Sequence, residues 1–289
     1  MSLRANSRQA PARMQPGDET LIPVQSRTRE MLARWLPPIV AFVILIGAWT
    51  GYVRAFNVSR FLLPTPADVL TSLLDNHAEL LIALQSTAQD AFLGLLLSIV
   101  IGVSLAIVMS QSRLLERAIF PYATLAQTIP IFAIAPLIDN AVGGGHTAIV
   151  LVALIIAVFP MIANTALGLS SVEQNQLNLF RMYNANRWQE LIHLRLPFAV
   201  PYILTGIRVS SGLAIIGAIV GQVLLGNGGP DGGGLGFEIQ YAAHSGDYAW
   251  LFAAALIAAL LGIVVFVVLG GLGNLALRSW HESAVQHEN

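Results

Sequence analysis

The sequence predicts an all-α membrane protein with six transmembrane helices, and three observations carry that fold class. Hydrophobic residues make up 55% and charged residues only 11% of the 289, with a mean hydropathy of +0.69, whereas a soluble domain carries about 25% charged residues. Six apolar runs recur, at about 36–53, 86–110, 118–138, 147–169, 201–225 and 248–277, and a span needs ~20 apolar residues to cross ~30 Å of hydrocarbon. The basic residues, all fifteen of them arginine, gather on alternate connections between the runs, as expected of loops facing the cytoplasm.

Taken in order, residues 1–35 are polar, rich in Arg, Gln and Pro, and without apolar periodicity, so they read as a mobile cytoplasmic tail. The polar lead is too long for the n-region of a secretory signal, and no small-residue cleavage site follows it. The first span is therefore expected to be retained, at 36–56, with an outer segment at 57–84. A core of five spans occupies 85–277. Span two sets Gly94, Ser98, Gly102, Ala106 and Ser110 at four-residue intervals, and span five does the same with Gly206, Ser210, Ala214 and Ala218. Small residues so spaced share one helix face and admit close backbone approach. Packing within the bundle, a subunit interface and a pathway lining all fit that pattern.

The third run is punctuated by Pro121, Pro130 and Pro136. If it failed to cross, five spans would remain and the later loops would change sides, against the charge distribution. Asp139 after it is expected at the outer interface, and the last run is long enough to tilt. With six spans and an inside N-terminus, twelve of the fifteen arginines fall in the cytoplasm, Arg54 and Arg60 fall outside, and Arg208 lies near the inner end of span five. Both termini, including a tail at 278–289, are then cytoplasmic. So is the polar stretch from Glu173 to Arg208, where two short helices, Asn175–Tyr183 and Arg187–Leu194, are expected around a turn at Asn184–Asn186. Pro197 and Pro201 lack backbone donors and are expected to disfavour a regular helix on the return into span five. Arg187 and Glu190, three residues apart, suit a local ion pair.

Several chemistries are excluded or disfavoured. The absence of lysine removes any Walker A loop, so nucleotide binding would fall to another chain. The absence of cysteine removes disulfides and thiolate metal sites. Six scattered histidines show no metal-binding spacing, so no metal site is expected. The glycine-rich stretch Gly226–Gly236 has no lysine and reads as an outer turn, and no nucleic-acid partner is expected. A membrane enzyme would need a convergent acid, base or nucleophile set at membrane depth, and none is visible. An ion-coupled secondary transporter is the alternative function, but spans two, four and six hold no charge near their centres. Uncharged polar residues remain as pathway candidates: Gln127, Thr128, Asn164, Thr165, Ser210, Ser211 and Gln222.

The polar stretch resembles the cytoplasmic EAA loop in the transmembrane subunits of bacterial ABC importers. Leu196-Pro197 fits the end of that pattern and puts Asn184 at its glycine position. The segments LPTPADVL at 63–70, IPIFAIAPL at 129–137, LTGIR at 204–208 and GLGF at 234–237 are similar to the branch that imports nitrate, sulfonates, taurine and pyrimidine precursors. Departures are specific: Asn178, Leu179 and Phe180 hold the Glu-Ala-Ala positions, Asn184 replaces Gly, Gln222 stands where the branch often has Glu, and Asp90 where it often has Arg. The resemblance implies a type I importer transmembrane domain in a bacterial inner membrane, embedded in lipid and paired with a second copy of the chain. It implies a cytoplasmic ABC ATPase dimer holding ATP and Mg, and a periplasmic or lipoprotein solute-binding protein. ATPase coupling would fall on Leu179, Tyr183, Asn184, Ala185, Asn186, Arg187 and Trp188, in an EAA loop at about 173–200, and this chain would carry no cofactor of its own.

Overall fold

A computed structural model describes the backbone over 27–228 and 233–285, and side chains over 36–228 and 233–276. The chain divides into two units, 1–51 and 52–289. The first holds most of helix α1, Arg27–Ala55, whose apolar part runs from Leu36 to Ala55. The helix thus begins nine residues before the expected span. Residues 1–26, the rest of the expected tail, lie outside the described residues, as do 229–232 of the glycine-rich stretch.

The second unit begins after Gly51 and, among the described residues, has helices as its only regular secondary structure. Helix α2, Pro66–Asp75, starts at a capping box. The Thr65 hydroxyl accepts from the Asp68 amide, while the Asp68 carboxylate accepts from the Thr65 amide at 2.9 Å and its hydroxyl at 2.6 Å. Helix α3, His77–Ser110, starts well before the predicted span at 86.

The third apolar run is not one straight helix. It forms α4, Arg113–Thr128, and α5, Ile131–Val142, which meet at 101°. Pro130 has no amide hydrogen to continue the helix, and it holds the preceding Ile129 in an extended conformation (φ −69°, ψ 127°). Among the described residues, five helices are therefore long and apolar enough to cross a membrane, or six spans if the bent pair is taken as one.

Helix α6, Gly145–Ser170, is followed by the polar stretch, which holds α7, Gln174–Met182, and α8, Arg187–Glu190. One turn of π-helix, Leu191–Arg195, then runs without a break into α9, Leu196–Leu225. This corrects the expectation that Pro197 and Pro201 would interrupt the return. Pro197 follows directly on the π turn, where the helical ladder is already widened, so its missing donor does not end the helix. The wide π turn lets the Leu196 amide bond Leu191 O, five residues back. Pro201 is carried inside the helix. Helix α10, Gly234–Ser245, and α11, Tyr248–Val285, are the last described elements; residues 286–289, the end of the expected C-terminal tail, lie outside the described residues.

Helices α3, α6 and α9 form the centre of the second unit. Ala91, Ile149, Ala153, Ile215 and Ala218 make one buried cluster, and Ala106, Leu169, Leu191 and Ala199 another. The two small-residue faces pack on α6 from either side. A Cβ on Gly94 would lie 2.6 Å from that of Ala153, one on Gly102 would lie 2.8 Å from Met161, and one on Gly206 would lie 3.1 Å from that of Asn164. The Ser210 hydroxyl donates to Ala157 O at 2.8 Å. Within the chain, then, close backbone packing is what these intervals serve.

Candidate functional site

The polar loop is organised by its own backbone. Helix α7 ends in a Schellman motif: Ala185 N–H donates to Phe180 O and Asn184 N–H to Arg181 O, both at 3.0 Å, with Asn184 at φ +56°. Left-handed backbone favours glycine, and asparagine is among the few side chains that tolerate it, so Asn184 fits the position it holds. Asn186 then opens α8 with a second capping box, its side chain accepting from the Gln189 amide at 2.9 Å while Gln189 Oε1 accepts from the Asn186 amide at 2.8 Å. Two helices around a turn at 184–186 are thus as the sequence predicts.

This frame leaves large apolar side chains in the open. Leu179 is 53% exposed, Met182 80%, Tyr183 81% and Trp188 63%. Ala185 is half-buried and Asn186 exposed. So much exposed apolar surface contrasts with the otherwise polar, well-capped turn that carries it.

The predicted Arg187–Glu190 pair is not formed. Arg187 Nη1 donates instead to Gln111 O at the end of α3, at 2.8 Å. Buried Glu190 is shared by Arg181 (3.5 Å) and Arg195 (3.7 Å), one from each side of the turn. Spacing along one helix puts Arg187 within reach of Glu190, but the chain folds so that two more distant arginines reach the carboxylate first. Arg113, Arg181, Arg187 and Arg195, with Glu116 and Glu190, line a cavity of about 1180 Å³ between this loop and the ends of α3, α4 and α6.

At the other end of α3 and α9 lies a buried polar cluster. Gln222 Nε2 donates to Asp90 Oδ2 at 2.8 Å, and Gln222 Oε1 accepts from the Thr87 hydroxyl at 2.8 Å and from the Gly236 amide at 3.1 Å. The Thr87 hydroxyl accepts from the Leu235 amide at 2.8 Å. His146 Nδ1 lies 2.8 Å from Asp90 Oδ1. Thr87, Asp90 and Gln222 are fully buried, whereas the His146 ring is half-exposed. Gly234, at φ +82°, has no room for a side chain, because a Cβ would run into the Gln222 amide. The GLGF segment thus brings two backbone donors onto α3 and α9. The departures at Asp90 and Gln222 are in direct contact, which no spacing rule exposes; the signal available in the sequence was that both positions depart together.

The pathway candidates separate. Gln127 and Thr128 are exposed beside the α4–α5 bend, Thr128 bonding Leu125 O at 2.8 Å. Asn164 is half-buried and donates to Pro160 O at 2.8 Å. Thr165 is fully buried, and its hydroxyl has no hydrogen-bond partner among the described residues. Ser210 and Ser211 are buried, Ser211 bonding Arg208 O at 2.8 Å, and Gln222 belongs to the cluster above. Among the described residues no group of three or more His, Cys, Asp or Glu is placed to hold a metal ion.

Five or six helical elements long and apolar enough to cross a membrane, among the described residues, with a polar loop between α6 and α9, define a multi-pass membrane protein. Residues 98–279 match the model of the family described as binding-protein-dependent transport system inner membrane component, and the chain belongs to that family of ABC transporter permeases. It is 32% identical to the formylaminopyrimidine transport permease ThiX of Halalkalibacterium halodurans over 84% of this chain and 95% of that one. It is 32% identical to the riboflavin transport system permease RibX of Chloroflexus aurantiacus (84% and 90%), and 26% identical to the nitrate import permease NrtB of Leptolyngbya laminosa (84% and 88%). In fold it matches a chain of the inward-facing MetNI methionine ABC transporter, with a TM-score of 0.60 at 15% identity over 70% of this chain and 97% of that one. A chain of an amino acid ABC transporter crystallised with histidines gives 0.58 at 18% identity (72% and 97%). The fold is that of type I ABC importer permeases, and the protein is a multi-pass protein of the inner membrane.

Proposed function

We propose that this chain is the permease subunit of an ATP-driven importer, coupled through its polar loop to a separate cytoplasmic ATPase that holds ATP and Mg. The observation that carries the reading is the exposed set Leu179, Met182, Tyr183 and Trp188, held on a turn whose backbone is fixed by a Schellman motif and a capping box. Such a projection fits a groove on a partner, with Asn184, Ala185 and Asn186 shaping the turn. Two copies enclose the pathway, both termini and the loop face the cytoplasm, and the buried cluster lies toward the outer side, where a periplasmic or lipoprotein binding protein delivers the solute. The solute is a small polar or anionic organic molecule, as the names of the relatives suggest. Specificity rests mainly on the binding protein, and the pathway, to which exposed Gln127 and Thr128 and half-buried Asn164 are the accessible contributors in one protomer, binds solute weakly.

The test is capture of the cytoplasmic ABC ATPase with which this chain is proposed to assemble. Tyr183→Ala with Trp188→Ala is expected to lower its co-purification at least tenfold, since each large exposed aromatic truncated at an interface centre costs ~2 kcal/mol or more. Undiminished capture refutes the docking surface. The alternative, an ion-coupled secondary transporter, takes its support from the buried carboxylate of Asp90. It requires uptake into proteoliposomes that stops when ion gradients are collapsed and continues without ATP; the ATP-driven reading requires the reverse.

A further inference from the structure

We propose that Arg187 and Arg195 strap the polar loop to the C-terminal end of α3, so that movement of the loop passes directly to α3 and α4. Through the chain itself the loop is joined only to α6 and α9. The proposal rests on the reading of the loop as the ATPase-docking element.

The last carbonyls of a helix have no partner within it and carry its partial negative charge. At the end of α3 each can be accounted for. Ile107 O accepts from the Ser110 hydroxyl at 2.7 Å and Gln111 Nε2 at 3.2 Å. Val108 O accepts from the Gln111 amide at 3.2 Å, and Met109 O from the Ser112 amide at 3.4 Å. Ser110 O and Gln111 O remain, and they are met by Arg195 Nη1 at 3.5 Å and Arg187 Nη1 at 2.8 Å, from 85 and 76 residues away. The next residue, Ser112, caps α4 by accepting from the Leu114 and Leu115 amides, so the arginines grip the corner shared by both helices. Buried Glu190 holds Arg195 in place and ties it, through Arg181, to α7 on the other side of the turn. Arg187, which lies on the exposed loop among the coupling candidates, is thereby turned inward: a positioning residue that acts on α3.

The test uses the complete complex of permease, ATPase and binding protein in proteoliposomes, reading solute imported per ATP hydrolysed. Arg187→Gln with Arg195→Gln is expected to leave the ATPase bound but to lower that ratio about tenfold, the factor set by one charge-assisted hydrogen bond. Arg187→Lys keeps a cationic donor and should stay closer to the unaltered chain than Arg187→Gln, a distinction a purely space-filling role would not make. Because the chain has no cysteine, spin labels at Leu114→Cys and Asn175→Cys, both exposed, report the separation of α4 and α7 once any cysteines of the ATPase and binding protein are replaced. That separation should hold constant through the ATP cycle with the arginines present and vary without them. The idea is overturned by an unchanged import ratio and a constant separation in the double variant, or by loss of ATPase binding, which would place the arginines on the ATPase. If the double variant fails to assemble, Arg187→Gln alone carries the same test with the Glu190 pairs intact. Should the unaltered chain bind no ATPase, the docking reading fails, and the strap is then decided by the label separation in the permease alone, which should be narrowly distributed with the arginines present and broadened in the double variant.

Discussion

Converting Gln222 to Glu is the sharpest probe of the buried cluster. Gln222 Nε2 lies 2.8 Å from Asp90 Oδ2, and both side chains are fully buried. Replacing that donor by a carboxyl group removes the attraction and sets two carboxyl groups against each other, whose repulsion, were both ionised, is the upper limit of the cost and is relieved by uptake of a shared proton. At 2.8 Å and an effective dielectric constant of ~20, the repulsion is about 6 kcal/mol. Side-chain rearrangement reduces the figure, and a loss of ~3–5 kcal/mol is expected, as for a buried pair left with an uncompensated charge. In detergent this should lower the thermal midpoint by about 10 °C, at ~2–4 °C per kcal/mol for a chain of this size. Asp90→Arg alone should also destabilise, since it faces the Gln222 amide donor and His146. The double variant Asp90→Arg/Gln222→Glu restores opposite charges across the same contact, in the arrangement the importer branch often has, and should recover at least half of the loss. A Gln222→Glu chain with an unaltered midpoint, or a double variant no better than the sum of the singles, would refute the reasoning.

Asn184→Gly should be neutral in ATPase capture and transport, whereas Asn184→Val places a β-branched residue at φ +56° at a cost of ~1–3 kcal/mol and should lose docking while still inserting in the membrane; retained capture by the valine variant contradicts this. Gly234→Ala should displace the Gln222 amide and expose the Leu235 amide, seen as at least tenfold faster hydrogen exchange at the start of α10. The Thr65 hydroxyl and amide hold the Asp68 carboxyl below the usual carboxylate range, with a smaller contribution from Arg60. A depressed carboxylate contributes stability that is fully present above its unfolded pKa of ~3.9 and is lost as pH falls through the lower folded value. Exchange protection of α2 should therefore weaken below about pH 4, and Asp68→Asn should remove that dependence. Burial raises the Glu238 pKa against the opposing hydrogen bond from Trp250, with Glu79 adding to the rise. Its contribution is complete below ~4.3 and lost as pH rises through the folded value, so Glu238→Gln, which keeps an acceptor for Trp250, should raise the thermal midpoint slightly at pH 7 and not at pH 4.

What was legible in the sequence follows from which forces are local. The apolar runs marked the spans because burial in lipid is a property of one segment at a time, and the turn at Asn184 was legible because left-handed backbone restricts the residue type at one position. The four-residue stripe on α3 announced close packing, but only the fold shows that Ala153 and Met161 of α6 meet it. The prolines misled in both directions. Pro130 breaks its run into helices at 101°, while Pro197 is absorbed by a π turn, and composition alone does not say whether a neighbouring turn widens. Arg187 was placed by helix spacing beside Glu190, yet its acceptor is a backbone carbonyl 76 residues earlier, which carries no residue-type signal at all. Asp90, His146, Thr87 and Gln222 come together from three helices, so their meeting is a property of topology.

The uninterrupted passage from α8 through the π turn into α9 has a mechanical consequence. Arg187 to Leu225 is one helical element of 39 residues, about 58 Å long at ~1.5 Å per residue. A hinge at the prolines would let the loop swing while α9 stayed still. An element that tilts as one body does not: a tilt of about 5° around its middle moves each end by ~2.5 Å, in opposite directions. One end carries Trp188, and the other carries Gln222 and the backbone donors of α10 bonded to it. A push at the loop is thereby felt at the buried cluster with reversed sign, as in a seesaw, so closing one end of the bundle and loosening the other become a single motion.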